Sequence, residues 1–379
     1  MKKILVASTA LVAASMLSTG AASASEKIKL ELGGFSKWWV VGAWQDDSFQ
    51  SANNADYNSV DIKGDNEIFF SGSTTLDNGM QVGINVELEA GGTTDNTADT
   101  IDKSNVFIAG GFGKVILGSE ANGTVLLHVM APDAAGNTDS DGLLTGGLAI
   151  AAPTGFTGRV VTSIDTDGDA EGITYVAPTF YGLTVGGTYK PNSTQDNRGA
   201  TSWNSSSFPD VATGEIYGAG ALYANTFSGV DFKASAGWAT YDVNVTDYAV
   251  PSDNQNVNEY AFGTQIGYAG FTVGGSYRIV SAPSRLAGTV AADGRVWDAG
   301  IQYASGPYAV SFIYFDSEAQ RDQIAEDNFT VYQVSGKYTL GAGVDVLATV
   351  GHADYDSDVV GDANDNQGWM VATGLSLQF

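Results

Sequence analysis

Gly368-Trp369-Met370-Val371-Ala372-Thr373-Gly374-Leu375-Ser376-Leu377-Gln378-Phe379 closes the chain. Trp369, Val371, Thr373, Leu375, Leu377 and Phe379 share one parity; Met370, Ala372, Gly374, Ser376 and Gln378 share the other. A strand turns successive side chains to opposite faces, so this one is apolar on one side and small or polar on the other. That division fits a wall with hydrocarbon outside and water inside. Soluble sheets also alternate, but they rarely finish on an exposed aromatic carboxyl terminus.

The same two-faced unit recurs upstream. Met80, Val82, Ile84, Val86 and Leu88 alternate with Gln81, Gly83, Asn85, Glu87 and Glu89. Ile68, Phe70, Gly72, Thr74 and Leu76 alternate with Glu67, Phe69, Ser71, Ser73 and Thr75. Asp77-Asn78-Gly79 joins the two runs, with Asn-Gly supplying the positive φ angles of a tight hairpin. Further hairpins pair 106–109 with 114–119, 173–177 with 183–190, 215–223 with 230–241 and 260–268 with 271–279. The last two pair 297–303 with 308–315 and 329–340 with 344–355.

Connections within hairpins are short, whereas those between hairpins are long and rich in Asp, Asn and Ser, as at 46–60, 191–214, 242–258 and 281–294. Alternating short and long connections are the asymmetry of a membrane barrel with turns at one rim and loops at the other. With a first strand near 27–44 and the last strand, the count is about 16. Tyr189, Tyr223, Tyr268, Tyr303, Tyr308 and Tyr338 fall at strand ends on the lipid parity, where an amphipathic ring meets the head groups. The expected fold is all-β: a 16-stranded antiparallel transmembrane β-barrel with a long loop folded into the lumen.

Lys2 and Lys3, an apolar run over 4–17 and the exit Ala22-Ser23-Ala24 read as a cleaved secretory signal over 1–24, leaving 25–379 as the barrel. The chain has 379 residues and a formal charge of −26, which becomes −28 when the two lysines leave. Such an acidic excess argues against nucleic acid and against an anionic inner leaflet. No cysteine is present, which excludes disulfides, thiolate metal sites and a lipid anchor on cysteine; His128 and His352 are the only histidines. Past the signal no apolar run approaches the roughly 20 residues of a spanning helix, so a membrane form must be a closed barrel.

One connection breaks the pattern. Residues 121–158 contain Val125-Leu126-Leu127, Met130-Ala131-Pro132-Asp133 and an apolar Gly-rich run over 143–152. A loop waving in water has no use for that much apolar surface, whereas one folded back on a wall does. Folded inward it constricts the bore, with Asp133, Asp139 and Asp141 facing the opposite wall. Strand parity then makes Glu31, Lys37, Glu67, Glu87, Glu89, Lys114, Lys233, Arg278, Asp298 and Lys337 wall residues, joined by Glu120 and Arg159 at the loop's ends. Opposed charges across a narrow neck orient water and polar solutes, and the acidic excess predicts mild cation preference. Asp165, Asp167 and Asp169 are candidates for Ca²⁺ because alternating aspartates can wrap the ion, although a solvated loop tip explains them as well. No other cofactor is expected.

The chain resembles the general diffusion porins of Gram-negative bacteria, most closely those of alphaproteobacteria. The resemblance spans the mature chain. It rests on Leu30-Glu31-Leu32-Gly33-Gly34-Phe35, Phe70-Ser71-Gly72-Ser73, Asp77-Asn78-Gly79-Met80 and Phe112-Gly113-Lys114-Val115-Ile116-Leu117-Gly118. It also rests on Ile173-Thr174-Tyr175-Val176-Ala177-Pro178 and terminal Phe379. It implies a 16-stranded barrel in the bacterial outer membrane among lipid and lipopolysaccharide, a homotrimer, and a third loop in the pore. It further implies passive diffusion of small hydrophilic solutes and ions, and a Phe379 read by the outer-membrane assembly machinery. One departure is plain: the clustered wall arginines common in that family are not evident here.

Three other functions compete with this reading. An outer-membrane hydrolase needs a base and an activated nucleophile, and no Gly-x-Ser-x-Gly motif accompanies the two histidines. A secreted β-rich binding protein should show strands of about five or six residues. A substrate-specific channel of the same fold, for a sugar or other nutrient, is the alternative function, with Trp203 its weak sign.

Overall fold

The computed structural model describes residues 27–92, 101–165, 168–193, 213–244, 254–282, 293–321 and 325–379. The secretory-signal segment, Asp167 and Trp203 lie outside the described residues. The strands are β1 Glu31–Gln45, β2 Val60–Thr75, β3 Gln81–Glu89, β4 Ile101–Gly110, β5 Gly113–Ser119, β6 Glu171–Val176, β7 Leu183–Asn192 and β8 Thr213–Phe227. They continue as β9 Val230–Asn244, β10 Asn254–Tyr268, β11 Phe271–Ser281, β12 Gly294–Ser305, β13 Tyr308–Gln320, β14 Glu326–Gly341, β15 Val344–Ser357 and β16 Asn366–Gln378. Two short helices interrupt them, α1 Asp47–Ala52 and α2 Gly123–Leu126.

Every strand pairs antiparallel with its sequence neighbours, and β1 pairs with β16 to close the barrel. Closure leaves no unpaired edge, which hydrocarbon would not tolerate. At the seam, the Gly34 N–H donates to the Phe379 carbonyl (3.0 Å) and the Phe379 N–H donates to the Gly34 carbonyl (3.1 Å). The terminal residue thus completes the ladder of the first strand.

The parity expected of the closing stretch is the one observed. Trp369, Val371, Leu375 and Leu377 are exposed, while Met370 and Ala372 are buried. Exposed aromatics form two belts. Near the short turns lie Phe112, Tyr181, Tyr268, Phe271, Tyr303, Tyr308, Tyr338 and Phe379. Toward the long connections a second belt runs from Tyr189 and Tyr217 through Trp238, Tyr260, Tyr277, Tyr332 and Trp369 to Trp44. Ring contacts such as Tyr189–Tyr217 (5.1 Å), Trp297–Tyr314 (4.9 Å) and Tyr314–Tyr332 (5.0 Å) join it laterally. Tyr189 therefore belongs to the far belt, and the other five expected tyrosines to the belt at the short turns.

The inner face departs from the simple picture of a uniformly wet wall. Trp39 and Val41 of β1, Val296, Phe315, Phe329, Val331, Leu347, Tyr355 and Met370 form a buried apolar cluster with Leu143, Leu144 and Ile150. These wall residues take the inward parity of their strands, and the last three belong to the connection between β5 and β6. Burying each of those three side chains contributes about 1.5–3 kcal/mol. In this sector both faces of the wall are apolar because the inner one is covered.

Candidate functional site

The connection from Glu120 to Ala170 runs further than the 121–158 expected from sequence, and it hydrogen-bonds most of the way round the barrel. Asn122 caps α2 by accepting from the Thr124 N–H (3.0 Å), and the Gly123 N–H donates to Thr188 Oγ1 (2.8 Å) on β7. From there the Val129 N–H donates to Ser235 Oγ on β9 (3.0 Å), and Gln265 Nε2 of β10 donates to the Met130 carbonyl (2.8 Å). The Val129 carbonyl also sits against Gly263 so closely that any Cβ there would run into it. The Ala131 N–H donates to Asp298 of β12 (3.1 Å), the Ala134 N–H to Ser311 of β13 (2.9 Å), and Asn137 to Thr349 of β15 (3.1 Å).

The returning limb follows the same wall backwards. The Ala151 N–H donates to Gln45 of β1 (3.0 Å), and Asn366 of β16 donates to the Ala151 carbonyl (2.8 Å). Phe156 packs edge-on against Tyr355 (5.1 Å) and Phe329 (5.9 Å). The Thr157 N–H donates to Asp327 of β14 (2.8 Å) and the Arg159 N–H to Ser317 of β13 (2.7 Å).

Residues 161–165 end in an ionic clasp. Arg278 of β11, 1 % exposed, holds Glu259 of β10 through Nε (2.7 Å) and Nη2 (2.6 Å). Its Nη1 reaches Asp165 (2.7 Å) and the Ser163 carbonyl, while Tyr241 donates to Glu259 from the other side (2.6 Å). A bidentate guanidinium suits such a site because its fixed fork matches a carboxylate. Burial, reinforced by nearby Arg278, pulls His128 down to about 4, so its ring is neutral at neutral pH and faces Thr162 (3.4 Å).

Against β2–β5 the picture changes. Lys103 donates to Glu87 (2.9 Å) and Asp102 (3.1 Å), and the carboxylates of Glu67, Glu89 and Asp102 converge within 4.8 Å. A register shift between Glu87 and Leu88 re-aims the start of β4 and brings Asp102 into this group. At the loop tip Lys37 meets Asp65 (3.6 Å) and the Gly136 carbonyl (3.5 Å). Beside them burial pushes Asp139 up to about 7, opposed by Lys37 and assisted by Asp141, Asp65 and Asp133. Burial likewise raises Asp141, Glu120 and, to about 6, Asp169.

The model of the Gram-negative porin family matches residues 7–358. The chain belongs to the Gram-negative porins. It is similar in structure to the anion-selective porin from Comamonas acidovorans, at 16% identity and TM-score 0.63, over 93% of this chain and 100% of that one. The outer-membrane channel DcaP of Acinetobacter baumannii gives 12% identity and TM-score 0.62 over 93% and 97% of the two chains. A mutant porin of Rh. blastica gives 16% and 0.53 over 93% and 100%. At these identities the likeness carries the fold alone. No curated protein matches the chain in sequence. This porin is an outer-membrane barrel of a family of diffusion channels.

The residues singled out from sequence fall into three groups in the porin. Lys37, Glu67, Glu87, Glu89, Lys114, Glu120, Asp139 and Asp141 gather along β1–β5 and the loop tip. Arg278 and Asp298 are buried beneath the connection instead of facing open water. Asp133 does not face across the bore either: it accepts from the Ala135 and Asn137 N–H groups and from Ser311 and Gln333 of the near wall. Arg159 lies in the returning limb, where burial and Arg278 lower its pKa. Glu31, Lys233 and Lys337 sit near the short turns, apart from these groups. Asp165 pairs with Arg278, whereas Asp169 feels Lys103 and Lys190, so two of the three proposed calcium ligands have different basic neighbours. Sequence reasoning missed Asp65, Asp102 and Lys103. Asp65 lies on the parity of Glu67 and Lys103 on that of Phe107, in register with Glu87; only Asp102 is reached through the register shift.

Proposed function

We propose that residues 120–170 narrow a water-filled bore and leave solutes a path along the inner face of β2–β5. The observation that carries this reading is the one-sided run of contacts. The connection bonds to inward side chains from β7 round to β1 and back to β11, while the wall from β2 to β5 keeps a charged surface. On that surface and the segments facing it stand ten carboxylates: Asp61, Asp65, Glu67, Glu87, Glu89, Asp102, Glu120, Asp139, Asp141 and Asp169. Four ammonium groups, Lys37, Lys63, Lys103 and Lys114, leave an excess of six negative charges when all are ionised. A low-dielectric wall focuses that field and concentrates cations in the neck. Cation preference is then the expected selectivity of passive diffusion, with no energy coupling.

A planar bilayer with a KCl gradient tests this directly. The reversal potential should take the cation-selective sign and move toward zero in Glu87→Gln/Glu120→Gln. An anion-selective sign in the unaltered protein would overturn the assignment of the path.

We further infer a homotrimer in contact through β2–β6. The far aromatic belt spans β7 to β16 and β1, but among the described residues β2–β6 lack it. At that rim their outer face offers aliphatic side chains instead, and Ser36 of β1 donates to the buried Asn66 of β2 (2.5 Å). A sector without head-group anchors at the rim of the long connections suits a protein neighbour better than lipid. Mass measurement in mild detergent decides it, and a monomer alone would remove the inference.

A further inference from the structure

At the rim of the long connections, four pieces of chain meet at one side chain. Arg321 directly follows β13, and its Nη1 donates to Asp327 of β14 (3.4 Å) and to Ser357 Oγ at the end of β15 (3.2 Å). Its Nη2 donates to the Thr154 carbonyl of the returning limb (3.1 Å) and to Asn364 Oδ1 of the β15–β16 connection (3.1 Å). Asp327 is fully buried and shared in the same way. Its Oδ1 faces Arg321, while its Oδ2 accepts from the Thr157 N–H (2.8 Å) and the Thr157 hydroxyl (2.9 Å). A guanidinium and a carboxylate thus tie the limb to the β15–β16 connection.

The two ends of this tie lie in different surroundings. Thr154 and Thr157 flank Phe156, which packs edge-on against Tyr355 (5.1 Å) and Phe329 (5.9 Å) in the covered sector. The β15–β16 connection, residues 358–365, turns into water: Val360 is 98% exposed. Its own ends are held by the Ser357 N–H donating to Asp365 (2.9 Å) and the Glu326 N–H donating to Asp358 (3.1 Å). Nη2 carries two hydrogens, one directed at the limb and one at Asn364. The guanidinium is planar and its donors keep fixed angles, so these two acceptors cannot shift independently. Moving Asn364 turns the fork, and the bonds to Thr154 and Asp327 turn with it.

We propose that Arg321 is a positioning residue that couples the β15–β16 connection to the constriction: displacing residues 358–365 loosens residues 154–157 and alters the bore. The proposal rests on the pore reading above and deepens it by giving the narrowing a point of control at the rim. Coupling between two places is reciprocal, so loosening the limb also loosens the connection.

Amide hydrogen exchange on the folded, detergent-purified protein reads both ends without conduction. Asn364→Leu should speed exchange of the Thr157 N–H by about three- to tenfold, and Thr157→Val should speed that of the Ser357 N–H in turn. Arg321→Lys keeps a positive charge beside Asp327 but loses the fork. In that background each substitution should leave the other end unchanged. In bilayer recordings Asn364→Leu should raise open-state current noise in the parent and add none to Arg321→Lys. Unchanged Thr157 exchange in folded Asn364→Leu, or equal acceleration in both backgrounds, overturns the proposal. Coupled exchange with unaltered noise in a conducting protein would confine the tie to the rim and overturn its reach to the bore. Coupled exchange in a folded protein that passes no current would sink the pore reading and leave the tie standing.

Discussion

Replacing Arg278 by Met deletes the centre of the clasp between the wall and the returning limb. The guanidinium is fully enclosed, bidentate on Glu259 and bound to Asp165 and to two limb carbonyls. Breaking a buried pair by removing one partner costs about 3–5 kcal/mol, because the remaining charge stays in low dielectric. The strand ladders do not depend on it, so the loss falls on docking of residues 161–165. That cost corresponds to roughly two to four orders of magnitude in the ratio of docked to undocked limb. Single-channel recordings should then show excess open-state noise and excursions to a larger conductance. Arg278→Lys, which keeps the charge but not the fork, should fall between the two. Arg278→Met/Glu259→Gln should relieve the orphaned carboxylate without restoring the tie to Asp165. If the Met variant migrates as a folded barrel yet matches the parent in conductance and noise, the clasp does not hold the constriction.

Three other perturbations address separate parts of the site. Asp139, pushed up to about 7, should ionise between pH 6 and 8 and add negative charge at the neck, so cation preference should rise with pH in reversal-potential measurements. Its folded pKa is raised, so its contribution to stability is full below about pH 4 and is lost as pH rises through 7. Asp139→Asn should flatten the upper part of the selectivity curve, leaving a lower step from Asp169, which is held up to about 6; an unchanged curve would count against the placement of Asp139 at the neck. Gly263→Ala should drive the Val129 carbonyl off β10 and alter conductance while the barrel still folds; unaltered currents would mean the outgoing limb does not shape the path. Deleting Phe379 removes both hydrogen bonds it exchanges with Gly34 and should lower the yield of assembled protein in outer membranes, measured by heat-modifiable migration.

Much of the barrel is legible in short windows because strand faces repeat every two residues and turn chemistry is local. Asp77-Asn78-Gly79 and the alternation of 80–89 suffice to set one hairpin. The covered sector also leaves a trace: Phe312-Ile313-Tyr314-Phe315 and Phe329-Thr330-Val331-Tyr332 are apolar on both parities. Matched to the apolar run at 143–152, that loss of alternation marks the wall on which the connection lies. The acidic group at β3–β4 is harder to read, since a one-residue register shift changes which side chains meet without changing composition.

Sequence by itself determined the strand periodicity, the number of rungs, the two faces and the net charge that any solute would meet. Only the tertiary structure decided which charges are spent on anchoring the connection and which gather along β2–β5. Arg278 and Asp165 lie 113 residues apart, and Asp133 and Gln333 lie 200 apart. A side chain's parity is a property of its own strand, but its partner depends on where a distant segment comes to rest inside the closed ring.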